Sequence, residues 1–380
     1  MPRSRSLSPE RYRRITLVAL VLLSIIIVTG ASVRLTGSGL GCSDWPTCEE
    51  DQLVAELDDL HAMVEFVNRV ITGFVSIAVI AAVLGSMWRR PRRRDLTLWS
   101  WGLVVGVVAQ IILGALVVRE HLPPPLVIGH FLLSMVLVWN AMVLHHRAGM
   151  SDTNPTTRSL PGILHHARLL SFMATVVLVT GTFVTGAGPH SGSETQETKD
   201  ALEAQGVDVS ELDASELEVE RLPFDVPDVA RVHGITVLVL LGVAVWLALR
   251  LRHADAPRDL FAATQTLISV LVLQAAIGYV QYFTDVPALL VGFHVAGSIA
   301  VWLAVLNVHL RVRHPLDDSD GPVDALRAET SARMVGCNLS RATRRQRRSK
   351  WTSRSTTPGS TPPHRGASAA GPPPSTSCST

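Results

Sequence analysis

Apolar residues along this chain gather into eight blocks, at 15–33, 64–88, 96–118, 126–144, 169–185, 229–249, 260–283 and 288–310. Each block approaches the roughly 20 residues that a helix needs to cross a hydrocarbon core of about 30 Å. Inside lipid only helices and closed barrels satisfy their own backbone groups, and these runs are far too long for barrel strands. The pattern predicts an all-α integral membrane protein with eight transmembrane helices.

The blocks repeat. Gln110-Ile111-Ile112-Leu113-Gly114 in the third block matches Gln274-Ala275-Ala276-Ile277-Gly278 in the seventh, and sixteen residues beyond each glycine stands a histidine, His130 or His294. Each histidine follows a short proline-containing loop. Val28-Thr29-Gly30 and the following TGSG resemble Val179-Thr180-Gly181 and TGAG, while Val67-Asn68-Arg69 falls opposite Val232-His233-Gly234. Two tandem four-helix bundles are expected. Four spans per unit is an even number, so the two are a parallel pseudo-repeat about an axis along the membrane normal.

Composition narrows the class. Hydrophobic residues make up 47% of the 380 and charged residues 17%, too little charge to cover a soluble protein of this length. The net charge of +2 conceals an asymmetry. Arg3, Arg5, Arg11, Arg13 and Arg14 precede the first span, and Arg89, Arg90, Arg92, Arg93 and Arg94 follow the second. Arg147, Arg158 and Arg168 follow the fourth, Arg250, Arg252 and Arg258 the sixth, and Arg311 and Arg313 the eighth. By the positive-inside rule these ends face the cytoplasm. The acidic loop 186–228 faces outward. The first span has no small-residue cleavage site after it and reads as a retained helix, which leaves both termini cytoplasmic. From 314 onward the chain is basic, then rich in Pro, Ser and Thr, and is expected to be disordered. Its segment 341–350 could attract anionic membrane lipid weakly. No nucleic-acid partner is expected.

Cys42 and Cys48 lie on the first external loop with five residues between them. That side is oxidising in most cells, so a disulfide is allowed there. A metal pair is a rival, but the interval is longer than zinc knuckles use. A catalytic dithiol or two inert thiols would fit the same spacing. Cys337 and Cys378 read as free thiols in the tail.

The candidate chemistry follows from the repeat. His233 and His294 fall at matched depth on adjacent spans and could hold a haem iron from both faces. The bland reading is two neutral histidines bonded to neighbouring helices. In the first half His130 has no such mate, because Asn68 stands where the second ligand would be, so one face of an iron would be left open. Glu65 sits three residues outward of Asn68, on the same helix face and about 4.5 Å along the axis. A carboxylate there must be paired, protonated or used. Arg69 could pair with it or bind a haem propionate. His61, seven residues from Asn68 and about 10 Å away, reads as a polar loop or supporting residue. His190 reads as a surface-loop residue, and His145, His146 and His309 as cytoplasmic-end residues.

With TGSGLGCSDWPTC on the first external loop, the glutamine–glycine motif of the third span, and IGHFLLS and GFHVAGS in the fourth and eighth, the chain resembles the heme A synthase family from about Arg14 to Arg313. The resemblance implies oxidation of the C8 methyl of heme O to the formyl group of heme A, the cofactor of terminal oxidases. It implies a heme b held by His233 and His294 in the second half. It also implies a heme O substrate in the first half, beside a glutamate in an E-x-x-H-R motif. Here that motif reads Glu65-Phe66-Val67-Asn68-Arg69, so the family's ligand histidine is an asparagine. Glu65 is then the catalytic candidate, with His130, Asn68 and Arg69 around the substrate haem. Heme O synthase and terminal oxidase assembly partners are the implied protein partners, and the cell membrane the implied location. The expected organisation is a cytoplasmic N-terminus (1–14), the substrate half (15–146), a cytoplasmic linker (147–168), the heme b half (169–313) and the tail (314–380). A di-haem cytochrome that only transfers electrons, and a thiol oxidoreductase using Cys42 and Cys48, are the rival classes.

Overall fold

The computed structural model describes residues 6–40, 60–120, 122–150, 157–159, 161–191, 221–253 and 256–315. Eight long helices carry nearly all of them: α1 (Pro9–Leu35), α2 (Leu60–Trp88), α3 (Arg94–Arg119), α4 (Pro124–Ala148), α5 (Pro161–Ala187), α6 (Val226–His253), α7 (Arg258–Phe283) and α8 (Ala288–Arg311). All eight are long and apolar enough to cross a membrane. The chain is a multi-pass membrane protein.

Several helices run past their apolar blocks. α1 starts at Pro9 because Ser8 caps it, its hydroxyl accepting from the Arg11 amide at 3.4 Å, while Pro9 occupies a first-turn position that needs no N–H. α5 begins at Pro161, ahead of the apolar run that starts at Leu169, so part of the expected linker is helical. An antiparallel pair, β1 (Thr157–Ser159) and β2 (Arg313–Pro315), ties the segment before α5 to the exit of α8.

Helix contacts fit two tandem bundles. α1 packs on α2 and α4, α2 on α3, and α3 on α4; α5 to α8 repeat the same ring. Between the rings, α1 touches α8, α4 touches α5, and α4 touches α8. Exchanging α1 with α5 and α4 with α8 maps these contacts onto themselves, as a two-fold axis between α4 and α8 requires. At that boundary the Trp302 indole Nε1 donates to Met135 O at 3.0 Å. One apolar core runs through both rings, and the outward faces are apolar too, with Phe74, Ile77 and Ile80 exposed on α2. Lipid permits that.

The α3–α4 and α7–α8 hairpins share contacts from end to end. At one end Arg147 pairs with Asp95 (3.2 Å), and Arg311 with Asp259 (2.7 Å). In the middle, Gln110 Nε2 donates to His130 O (3.0 Å), and Gln274 Nε2 to His294 O (2.8 Å). At the other end the Leu122 amide bonds Val117 O (2.8 Å), and the Val286 amide bonds Gln281 O (3.0 Å). Both turn residues have positive φ, 62° at Leu122 and 55° at Val286, a costly conformation for branched side chains. Each turn is held by the loop that leaves the first helix of its ring. Leu122 fills a notch at Gly39, where an added Cβ would stand 2.7 Å from its Cδ2. His190 Nε2 donates to Val286 O at 2.9 Å. These turns set where α4 and α8 begin, and therefore the height of His130 and His294.

Candidate functional site

In the second ring, α6 carries His233 and α8 carries His294, and their rings face each other with centroids 6.4 Å apart and planes inclined at 73°. An imidazole nitrogen binds a metal at about 2.0 Å, which puts two rings clasping one ion roughly 6 Å apart between centroids. The observed separation fits. Among the described residues no third His, Cys, Asp or Glu joins them to hold a metal ion. Two such imidazoles with no third protein ligand among the described residues fit an iron already held in a macrocycle.

The surroundings are shaped for the rings. The Thr180 hydroxyl donates to Val177 O (3.1 Å), so at His233 Nδ1 (3.1 Å) it accepts. That makes Nδ1 the protonated nitrogen and leaves Nε2 with its lone pair. Side chains opposite the rings are missing: an added Cβ would lie 3.1 Å from His233 Cε1 at Gly181 and 2.9 Å from His294 Cε1 at Gly278. The His294 Nδ1 is buried without a hydrogen-bond partner among the described residues.

The first ring copies this arrangement with one ligand changed. Thr29 Oγ1 meets Asn68 Oδ1 at 2.9 Å, as Thr180 meets His233, and Gly30 stands against Asn68 as Gly181 does against His233. An added Cβ at Gly114 would lie 3.3 Å from His130 Cε1, and the buried His130 Nδ1 also lacks a partner among the described residues. The structure therefore brings Asn68 and His130 into the positions that His233 and His294 hold in the other ring. A hollow of about 220 Å³ opens beside Asn68, lined by Thr29, Ser32, Met63, Val64 and Val67.

Charge separates the two rings. Glu65 is 5% exposed, and its Oε1 accepts from Arg69 Nη2 at 2.5 Å and Nε at 3.2 Å. At the matching positions beside His233 stand Ala230 and Gly234. His61 lies further out, its Nδ1 3.1 Å from the buried Ser38 hydroxyl, away from Asn68. His190 joins the turn before α8. Cys42 and Cys48 lie outside the described residues.

Three features are not apparent from the sequence pattern alone. His145 Nδ1 meets the Thr16 hydroxyl (3.1 Å), and His309 Nδ1 meets the Ser171 hydroxyl (2.9 Å). Each hydroxyl already donates to a backbone carbonyl, so each histidine donates to it. A signal was present, because each histidine follows His130 or His294 by fifteen residues. Arg34 is the third: its Nε and Nη2 are buried without a partner among the described residues.

The family model for COX15-CtaA, described as cytochrome oxidase assembly protein, matches residues 13–306. A heme A synthase of Exiguobacterium sibiricum is 26% identical over 168 residues, 44% of this chain and 56% of that relative. A heme A synthase of Geobacillus kaustophilus is 31% identical over 127 residues, 33% of this chain and 39% of the relative. A third, of Shouchella clausii, is 28% identical over 181 residues, 45% of this chain and 58% of the relative. The chain spans about half the length of the curated relatives it matches.

Proposed function

The chain belongs to the COX15-CtaA family of cytochrome oxidase assembly proteins, and on that premise we propose that it is a heme A synthase, oxidising the C8 methyl of heme O to the formyl group of heme A. One observation carries this reading: two matched cradles, of which one has two facing histidines and the other a single histidine beside an ion-paired carboxylate. A pure electron carrier has no use for that difference. An enzyme that keeps one haem and turns over another does.

In this reading His233 and His294 hold a heme b in the second ring, and His130 binds the iron of heme O in the first. When bound, the heme b accepts and passes on single electrons. Asn68 keeps the opposite face of the substrate weakly held, which favours exchange of product for substrate. The apolar hollow beside Asn68 suits a substrate that arrives through the bilayer with its apolar tail. Glu65 lies one helical turn from Asn68 toward the outer end. It takes protons from the reacting methyl carbon, or stabilises positive charge there, while Arg69 holds its carboxylate in place. Electrons and protons leave the carbon, and water supplies the oxygen. Cys42 and Cys48 form a disulfide over the outer end of this ring, with both termini on the cytoplasmic side of the cell membrane. Heme O synthase as donor and terminal oxidase as acceptor are the partners this reaction calls for.

The test is pigment and product. Purified protein should contain heme B, and incubation with heme O and an electron acceptor should yield heme A by chromatography. Protein that retains two symmetric low-spin haems and leaves heme O unchanged would establish the electron carrier instead.

A further inference from the structure

Two guanidinium nitrogens of the first ring, Nε and Nη2 of Arg34, are buried and bond to nothing among the described residues. Arg34 lies on the face of α1 that carries Leu20, Leu23 and Ile27, all of them buried, so its side chain starts from the inward face. Neither its Nε nor its Nη2 has a hydrogen-bond partner among the described residues. Buried N–H groups of a cation left unpaired are costly, and in a membrane span they mark a ligand or a pathway.

Its height can be read from the contacts between α1 and α2. Gly30 faces Asn68, and Ser38 bonds His61. Arg34 lies one turn, about 6 Å, outward of Gly30. That is the level of Glu65, which lies between Asn68 and His61 on α2. Glu65 is engaged by Arg69, so the Arg34 charge is surplus among the described residues of this pocket. The second ring differs at the matching position: four residues beyond Gly181 stands Thr185, neutral and bonded to Gly181 O at 3.1 Å.

The ligand chemistry that matches is a carboxylate, planar and able to take two parallel N–H bonds from one guanidinium. The rim of heme O carries two propionates, and the methyl to be oxidised neighbours one of the carbons that bear them. We propose that Arg34 binds a propionate of the substrate haem and thereby fixes the rotation of the macrocycle, so that the C8 methyl lies beside Glu65. The proposal rests on the first ring being the substrate site. Arg34 is a binding and orienting residue, and takes no part in proton transfer.

The test uses the full-length protein in lipid nanodiscs, with heme O and its dimethyl ester as probes, read by the Soret change on titration. The wild type should bind the free acid at least about 30-fold more tightly than the diester, as expected for a buried charge pair. In Arg34→Gln the acid should fall to the affinity of the diester while the diester is unaffected, and Arg34→Lys should retain part of the preference. The absorbance of the heme b between His233 and His294 serves as the measure of an intact fold in both variants. Undiminished discrimination in Arg34→Gln would overturn the proposal. Binding of both probes should vanish in His130→Ala; if it survives there, the substrate-site reading itself falls.

Discussion

Gly278→Ala adds one methyl group next to a ligand without touching the ligand. The new Cβ would stand 2.9 Å from His294 Cε1 and 3.4 Å from its Nδ1. Non-bonded carbons settle at about 3.5–4.0 Å, so the ring must retreat by about 0.6 Å or more. α7 cannot back away instead, because Gln274 holds it to α8 through His294 O at 2.8 Å, its amide seated against Gly297. The imidazole is therefore pushed off its rotamer, at a cost of about 0.5–1.5 kcal/mol. That corresponds to about 2- to 10-fold weaker haem binding. The matched substitution Gly114→Ala leaves 3.3 Å to His130 Cε1, so there the displacement is only about 0.2 Å. The assay is transfer of haem from the purified protein to excess apomyoglobin. Gly278→Ala should release its heme b about 2- to 10-fold faster, and Gly114→Ala at the wild-type rate. Equal rates for wild type and Gly278→Ala, or acceleration by Gly114→Ala alone, would refute the cradle and the assignment of the two rings.

Five further substitutions separate the roles. His233→Ala or His294→Ala should abolish the heme b spectrum in protein that still inserts, whereas His130→Ala should spare it and stop product formation; haem extraction and visible spectra of purified membranes check both. Glu65→Gln keeps an acceptor for Arg69 but cannot take a proton, so heme A formation should drop about 100-fold or more; cells with this variant as their only copy should accumulate heme O, and normal heme A would make the residue structural. Asn68→His should donate its Nδ1–H to the Thr29 hydroxyl as His233 does to that of Thr180; loading with heme O should then give a second low-spin resonance, and a spectrum unchanged from wild type counts against the match between the rings.

Span positions were legible because lipid leaves only one period and one length to read. Helix ends were less so: whether charged residues such as Arg11 or His165 continue a helix depends on caps and on packing outside the bilayer, which hydropathy does not encode. The pairings Gln110–His130 and Gln274–His294 were visible as intervals, but their meaning was not. Only the structure shows the amide bonding the carbonyl of the histidine itself. Arg34 left no signal, because an arginine near the end of a span ordinarily reaches for water. What distinguishes it is the absence of a partner, a property of neighbours from other helices.

Trp302 and its counterpart Val138 meet different fates at the boundary between the rings: the indole crosses it to Met135, while Val138 is wholly buried. Residues near a two-fold axis meet their own images. Two copies of the second ring would bring a pair of indoles to one place, and two copies of the first would leave that place unfilled. The two halves are therefore complements at this boundary and not interchangeable: separate expression should yield polypeptides that associate with one another and not with themselves.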